Sequence, residues 1–192
     1  MTIQFQPFDE HKPVQIYRRN LPHWRQEGAT YFVTFRLHDA LPAPAVEQLR
    51  CLRTVLLQQA DNPALYLAAD REYFRRMKHY LIAGHGACWL RQAELAAVVQ
   101  DALLFFEGDR YQIGELAVLP NHVHALVAPR PGYPLDTILH SWKSFTARQL
   151  NRLLGRTGPV WQDESYDRLV RDSLEFQRTE RYIRKNRGDE KA

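Results

Sequence analysis

The chain has only two cysteines in 192 residues, Cys51 and Cys88, far apart in sequence. They form no Cys-x-x-Cys pair, which excludes a zinc ribbon or a thioredoxin-type redox motif. So sparse a set reads as free thiols in a cytosolic compartment. No apolar run approaches the roughly 18 to 20 residues that a membrane span needs. The N-terminus, Met1-Thr2-Ile3-Gln4-Phe5-Gln6, lacks the basic and then apolar regions of a secretory signal. No glycine-rich phosphate loop is present, so no nucleotide cofactor is implied. Internal repeats and low-complexity tracts are also missing. What is present is ordinary globular material, 45% hydrophobic and 25% charged, long enough for one domain over residues 1–192.

The net charge is +4, and its placement is uneven. Residues 141–192 hold 12 Lys and Arg against 8 Asp and Glu, whereas residues 1–140 hold 14 of each. The whole excess therefore lies in the last 52 residues. A basic face favours a polyanion such as nucleic acid; the competing reading is a solvated, mildly basic helical surface.

Residues 1–27, with Pro7, Pro13 and Pro22, read as an irregular lead-in. Thr30 to Leu37 is β-branched and aromatic and predicts a buried strand. Leu41-Pro42-Ala43-Pro44 breaks it. Val46, Leu49, Leu52, Leu56 and Leu57 then recur at helical spacing up to about Gln59, and Asp61-Asn62-Pro63 stops that helix. A second helix is predicted over about 70–81, so the segment 43–87 reads as a helical excursion. A helix over 92–106, strands over 111–119 and 122–128, and a long helix carrying Ile138, Trp142, Phe145 and Leu150 follow. Asp172-Ser173-Leu174-Glu175 fits a capping box for a last helix to about Asn186. Strands first and then alternating elements predict α+β, with helices on an antiparallel sheet.

Leu119-Pro120-Asn121-His122-Val123-His124 is the segment richest in chemistry. Alternate strand residues share a face, so His122 and His124 project side by side and can grip one divalent ion. Two histidines on a half-exposed strand would look the same. No further His or Cys stands nearby to complete a zinc site. Downstream, Tyr182 and Asn186 are four apart on one helical face, among Arg178, Arg184 and Lys185. A tyrosine next to cations and a metal can become a nucleophile, because both favour its phenolate. Taken alone, it reads as a packed helix tyrosine. Tyr166, in Glu164-Ser165-Tyr166-Asp167, is the rival nucleophile, but position 170 is Val170 and offers no polar partner. Trp142 and Trp161 read as packing residues rather than base-stacking platforms, and Glu115 is a candidate auxiliary carboxylate.

Together these elements resemble a known family. His-hydrophobic-His on a strand, followed by one tyrosine on a later helix, resembles the HUH single-strand DNA endonucleases. The likeness is strongest to the REP-associated tyrosine transposases, relatives of single-tyrosine insertion-sequence transposases. Tyr31 to Leu37, Leu119 to His124, Lys143 to Ala147 with Asn151, Val160-Trp161-Gln162, Tyr166-Asp167, Val170-Arg171-Asp172 and Tyr182-Ile183 with Asn186 follow that family's order. The resemblance covers about residues 28–187. It implies a ferredoxin-like central antiparallel sheet of four to five strands, with helices packed mainly on one face. It implies His122, His124 and Asn186 as ligands to Mg²⁺ or Mn²⁺, and Tyr182 as nucleophile. The reaction implied is nicking and joining of single-stranded DNA through a 5′-phosphotyrosine, on hairpins of repeat elements. Lys143, Arg148, Arg178, Arg184 and Lys185 are the expected DNA contacts. The protein would act in the cytoplasm, on the nucleoid, as a monomer or homodimer. A non-catalytic DNA or RNA hairpin binder on the same fold is the alternative. One departure stands out: the family usually has proline after the asparagine, and here Arg187 follows, then Gly188-Asp189-Glu190-Lys191-Ala192. That short tail would loosen the helix that carries Tyr182.

Overall fold

The computed structural model describes residues 3–18, 21–59 and 62–188. Its centre is β3 (Tyr31–Arg36), and all six of its residues are buried. Beside it lies β5 (His122–Pro129), with β4 (Tyr111–Leu119) and β6 (Tyr166–Leu169) at the edges, in the order β4-β5-β3-β6. All three pairings are antiparallel. With helices between β3 and β4 and between β5 and β6, this is the ferredoxin-like plan that the sequence predicts.

Register sorts the side chains into two faces, because residues directly opposite in neighbouring strands point the same way. Thr34 pairs with His124 and Arg36 with His122, so these four share a face with Phe32 and Leu126. Tyr31, Val33 and Phe35 share the other face with Val127, Ala125 and Val123. Apolar side chains pointing both ways require cover on both faces. α3 (Ala93–Leu104) and α4 (Leu135–Leu153) cover the second face. There the Trp142 ring lies 5.2 Å from Tyr111, and its Nε1 donates to the Tyr111 hydroxyl, which donates in turn to the Leu103 carbonyl. α2 (Pro63–Ile82) and α5 (Ser173–Arg187) cover the histidine face, and α1 (Ala43–Gln58) packs on α2. Phe74 and Tyr182 meet Phe32 edge-on at 5.4 and 6.0 Å. Helices therefore cover both faces rather than mainly one: the two crossover helices take one, and the excursion and the last helix take the other.

Three expectations change in detail. The lead-in carries a hairpin, β1 (Gln15–Arg18) with β2 (Pro22–Arg25). It is pinned to β6 where His23 and Arg25 pair with Asp167. α2 begins earlier than expected, because Asn62 caps it by accepting from the Leu65 amide and Pro63 opens it; Pro63 starts a helix instead of stopping one, since the first turn needs no proline N–H. Asp61 lies outside the described residues. α5 begins as predicted, with Asp172 accepting from the Glu175 amide at 2.7 Å. Its far end is tied down without a proline: Arg187 donates to the Leu116 carbonyl at 3.0 Å and pairs with Glu115 at 2.9 Å. Gly188 then ends the helix at φ +91°. Residues 189–192 of the expected tail lie outside the described residues.

A β-bulge between Ile113 and Leu116 turns Glu115 toward α5. Gly114 sits in it because a Cβ there would fall 2.8 Å from Ile3 Cγ2. Among the described residues, no helix is long and apolar enough to cross a membrane.

Candidate active site

The β4–β5 connection is two residues, Pro120-Asn121, which brings His122 directly opposite Leu119 at the start of β5. Asn121 is buried and fully used. Its Nδ2 donates to the carbonyls of Leu81 and His85, and its Oδ1 faces His122 Nδ1 at 2.7 Å. An amide oxygen only accepts, so His122 carries its proton on Nδ1 and leaves Nε2 bare. The His124 ring lies 4.7 Å from the His122 ring, centroid to centroid. Its Nδ1 is 2.7 Å from the hydroxyl of fully buried Thr34. Its Nε2 is 3.1 Å from the Tyr182 hydroxyl.

Electrostatics keeps this cluster neutral. Burial, and then Arg36 alongside, push the His122 imidazole down to about 3. Burial, His122 and Lys78 hold His124 well below its ordinary value. Burial raises the Tyr182 phenol, and a hydrogen bond from the Asn186 side chain opposes this. The neutral phenol can donate to His124 Nε2, and in that tautomer His124, like His122, carries its proton on Nδ1, with the Thr34 hydroxyl accepting. Both histidines then present a bare Nε2 with Nδ1 anchored behind it, the usual arrangement of ligating imidazoles. Among the described residues no three His, Cys, Asp or Glu gather to hold a metal. A third protein donor would have to be an amide oxygen such as that of Asn186, whose Nδ2 donates to the Tyr182 carbonyl at 2.6 Å. Two neutral imidazoles and an amide fit a divalent ion that accepts mixed nitrogen and oxygen ligands.

Tyr166 does not compete. It is sealed in the core, stacked 5.0 Å from Phe74, with its hydroxyl donating to buried Asp70 at 2.9 Å. Trp161 packs on Phe35 at 4.8 Å and donates to Thr146, and Trp142 is equally buried. Glu115 holds α5 to β4 through Arg184 and Arg187.

The expected DNA contacts divide. Lys143 donates to the carbonyls of Gln162 and Asp163 and holds that loop. Arg148 is exposed on α4, behind the sheet from the histidines. Arg184 pairs with Glu115 at 2.7 Å. Arg178 lines the cleft that opens at Tyr182, and Lys185 is exposed one turn further along, near Lys78. Sequence reasoning gave no role to Thr34 or Asn121, although Thr34 stands inside the buried strand and Asn121 directly before His122. It also missed Lys78, whose ammonium stands 4.3 Å over the Tyr182 ring; nothing local on α2 marks it.

The description of the family "Transposase IS200 like" matches residues 94–186. Among solved structures, the chain is similar to a REP-associated tyrosine transposase bound to a REP hairpin, with 16% identity and a TM-score of 0.43, over 91% of this chain and 73% of that one. It is also similar to a transposase candidate from Deinococcus radiodurans R1, with 13% identity and a TM-score of 0.33, over 82% of this chain and 89% of the other. No curated protein matches it in sequence. His122, His124, Tyr182 and Asn186 all fall inside the residues that match the IS200-like transposase family.

Proposed function

We propose that the protein is a metal-dependent, single-strand DNA nicking and joining enzyme of the REP-associated tyrosine transposase kind, with DNA hairpins as substrate. The observation that carries this reading is the Tyr182 hydroxyl 3.1 Å from His124 Nε2, beside a second imidazole whose Nε2 is also bare. His122, His124 and Asn186 would hold Mg²⁺ or Mn²⁺, which when bound polarises a phosphate and favours the phenolate. His124 Nε2 has one lone pair, so the Tyr182 proton and a metal compete for it. Loading the site would release the Tyr182 hydroxyl from its resting partner.

Tyr182 Oη then attacks phosphorus in line. A P–O bond forms to the phenol oxygen, the bond to the 3′-oxygen breaks, and the phenolic proton ends on that oxygen by way of water. The product is a 5′-phosphotyrosine and a free 3′-hydroxyl, and attack by a 3′-hydroxyl reverses the step and joins strands. Lys78 over the Tyr182 ring adds positive charge where the phenolate forms.

Covalent trapping tests this. Labelled single-stranded hairpins from repeats flanking the gene are incubated with the protein and Mn²⁺, then run on a denaturing gel. A labelled protein band is expected that vanishes with EDTA and in Tyr182→Phe but persists in Tyr166→Phe. Hairpin binding with no band under any metal would sink the enzyme reading and leave a hairpin-binding protein.

A further inference from the structure

The excursion helix α2 does more than cover the sheet. Between it and α5 lies a cleft of about 520 Å³ that reaches Tyr182. Leu67, Phe74 and Leu174 line it with apolar surface, and Phe32 with Tyr182 closes the inner end. Phe74 is stacked on Tyr166 by one face and meets Phe32 and Tyr182 edge-on, yet it stays half-buried and borders the cleft. Four arginines line the same cleft, Arg71, Arg168, Arg171 and Arg178, against two carboxylates, Asp172 and Glu175, for a net charge of +2.

Those carboxylates are already committed. Asp172 caps α5, and Glu175 pairs with Arg168 at 3.1 Å and accepts from the Arg171 amide. Among the described residues, Arg71, Arg171 and Arg178 make no ion pair with a carboxylate. Arg71 and Arg178 are exposed, and Arg171 is half-buried, 5.9 Å from the Trp24 ring. An aromatic floor under a cationic rim is what a single strand asks for: a ring to stack a base, and charges that follow its phosphates. A purely apolar ligand would leave three guanidinium groups without a role.

We propose that this cleft seats the single-stranded nucleotides next to the phosphate that Tyr182 attacks, with Arg71, Arg171 and Arg178 on their phosphates and a base against Phe74. The inference rests on the DNA reading above and adds its location: half of the strand-binding site comes from the excursion, not from the sheet and last helix that carry the histidines and the tyrosine.

The test uses the full chain and fluorescein-labelled dT12, with fluorescence anisotropy at 50 to 200 mM NaCl. Each phosphate contact on a single strand contributes about 0.7 to the slope of log K against log salt. Arg71→Ala with Arg171→Ala should weaken binding at least about tenfold at 50 mM and flatten the slope by about 1.4. Arg71→Lys with Arg171→Lys keeps the charges and should restore the slope. Arg75→Ala with Arg76→Ala removes two cations that pair with Glu72 on the same helix and lie outside the cleft, and should leave affinity within about twofold. Phe74→Leu keeps an apolar floor and should weaken binding about fivefold or more at unchanged slope. Equal losses in the two double alanine variants, or none in Arg71→Ala with Arg171→Ala, overturn the cleft while the DNA reading stands. Failure of the unaltered protein to bind either dT12 or any hairpin overturns the DNA reading and this inference with it.

Discussion

His23 should make the fold pH-dependent on the alkaline side. The residue is 5% exposed and its imidazole sits between two carboxylates, with Nδ1 2.7 Å from Asp167 and Nε2 2.6 Å from Glu164. Burial by itself would push the ring toward neutrality, but hydrogen bonds to Asp167 and Glu164 outweigh it and raise the group from 6.5 to about 9. Because the folded value lies above the unfolded one, the stabilisation is complete below pH 6.5 and is lost as pH rises through 9. A gap of that size corresponds to on the order of 3 kcal/mol at 1.36 kcal/mol per unit. Urea unfolding of the unaltered protein between pH 6 and pH 9.5 should show this loss. The stability difference between it and His23→Gln should shrink by a similar amount over the same range. Arg25 also contacts Asp167, at 2.5 Å, so the carboxylate keeps a partner and the fold loosens at the hairpin rather than collapsing. An unaltered protein that is equally stable at pH 6 and pH 9, or a His23→Gln variant with the same slope, would show that His23 is not held as an imidazolium.

Three further outcomes follow from the same contacts. Thr34→Val should leave the His124 Nδ1 proton buried without a partner, costing about 1–3 kcal/mol; Mn²⁺ affinity, measured by paramagnetic resonance titration, should fall about 10- to 100-fold. Tyr166→Phe should lower stability by about 1–3 kcal/mol through the lost Asp70 bond yet retain the covalent DNA adduct, and loss of the adduct in a folded variant would restore Tyr166 as a candidate nucleophile. Gly114→Ala should cost about 1–3 kcal/mol by overpacking against Ile3 and Leu126, read by chemical denaturation; an unchanged midpoint would mean the bulge is not close-packed.

Much of the candidate site is legible in the chain because it is written in short-range periodicities. The step of two between His122 and His124 puts both on one sheet face whatever surrounds them. The step of four between Tyr182 and Asn186 puts both on one face of a helix whose start is marked by Asp172 and Glu175. The strand 31–36 announces burial by its β-branched and aromatic run from Tyr31 to Phe35. The hairpin at 15–25 carried no such mark: its strands are four residues each, and its anchors, Asp167 and Glu164, lie more than 140 residues away in sequence.

By itself, then, the sequence determined the elements, the pairing of the two histidines on one face, and the helix that carries the tyrosine, since local backbone geometry decides each of these. Only the tertiary structure decided which basic residues are free to meet a strand. Lys143 and Arg184 look no different in sequence from Arg178, yet the first is held by two loop carbonyls and the second by Glu115, 69 residues away. Arg71, Phe74 and Lys78 belong to a helix with no motif, and they face the Tyr182 side of the sheet because α2 folds back over β3. A charge acquires its role from the partner that reaches it, and over such separations the fold, not the spacing, supplies that partner.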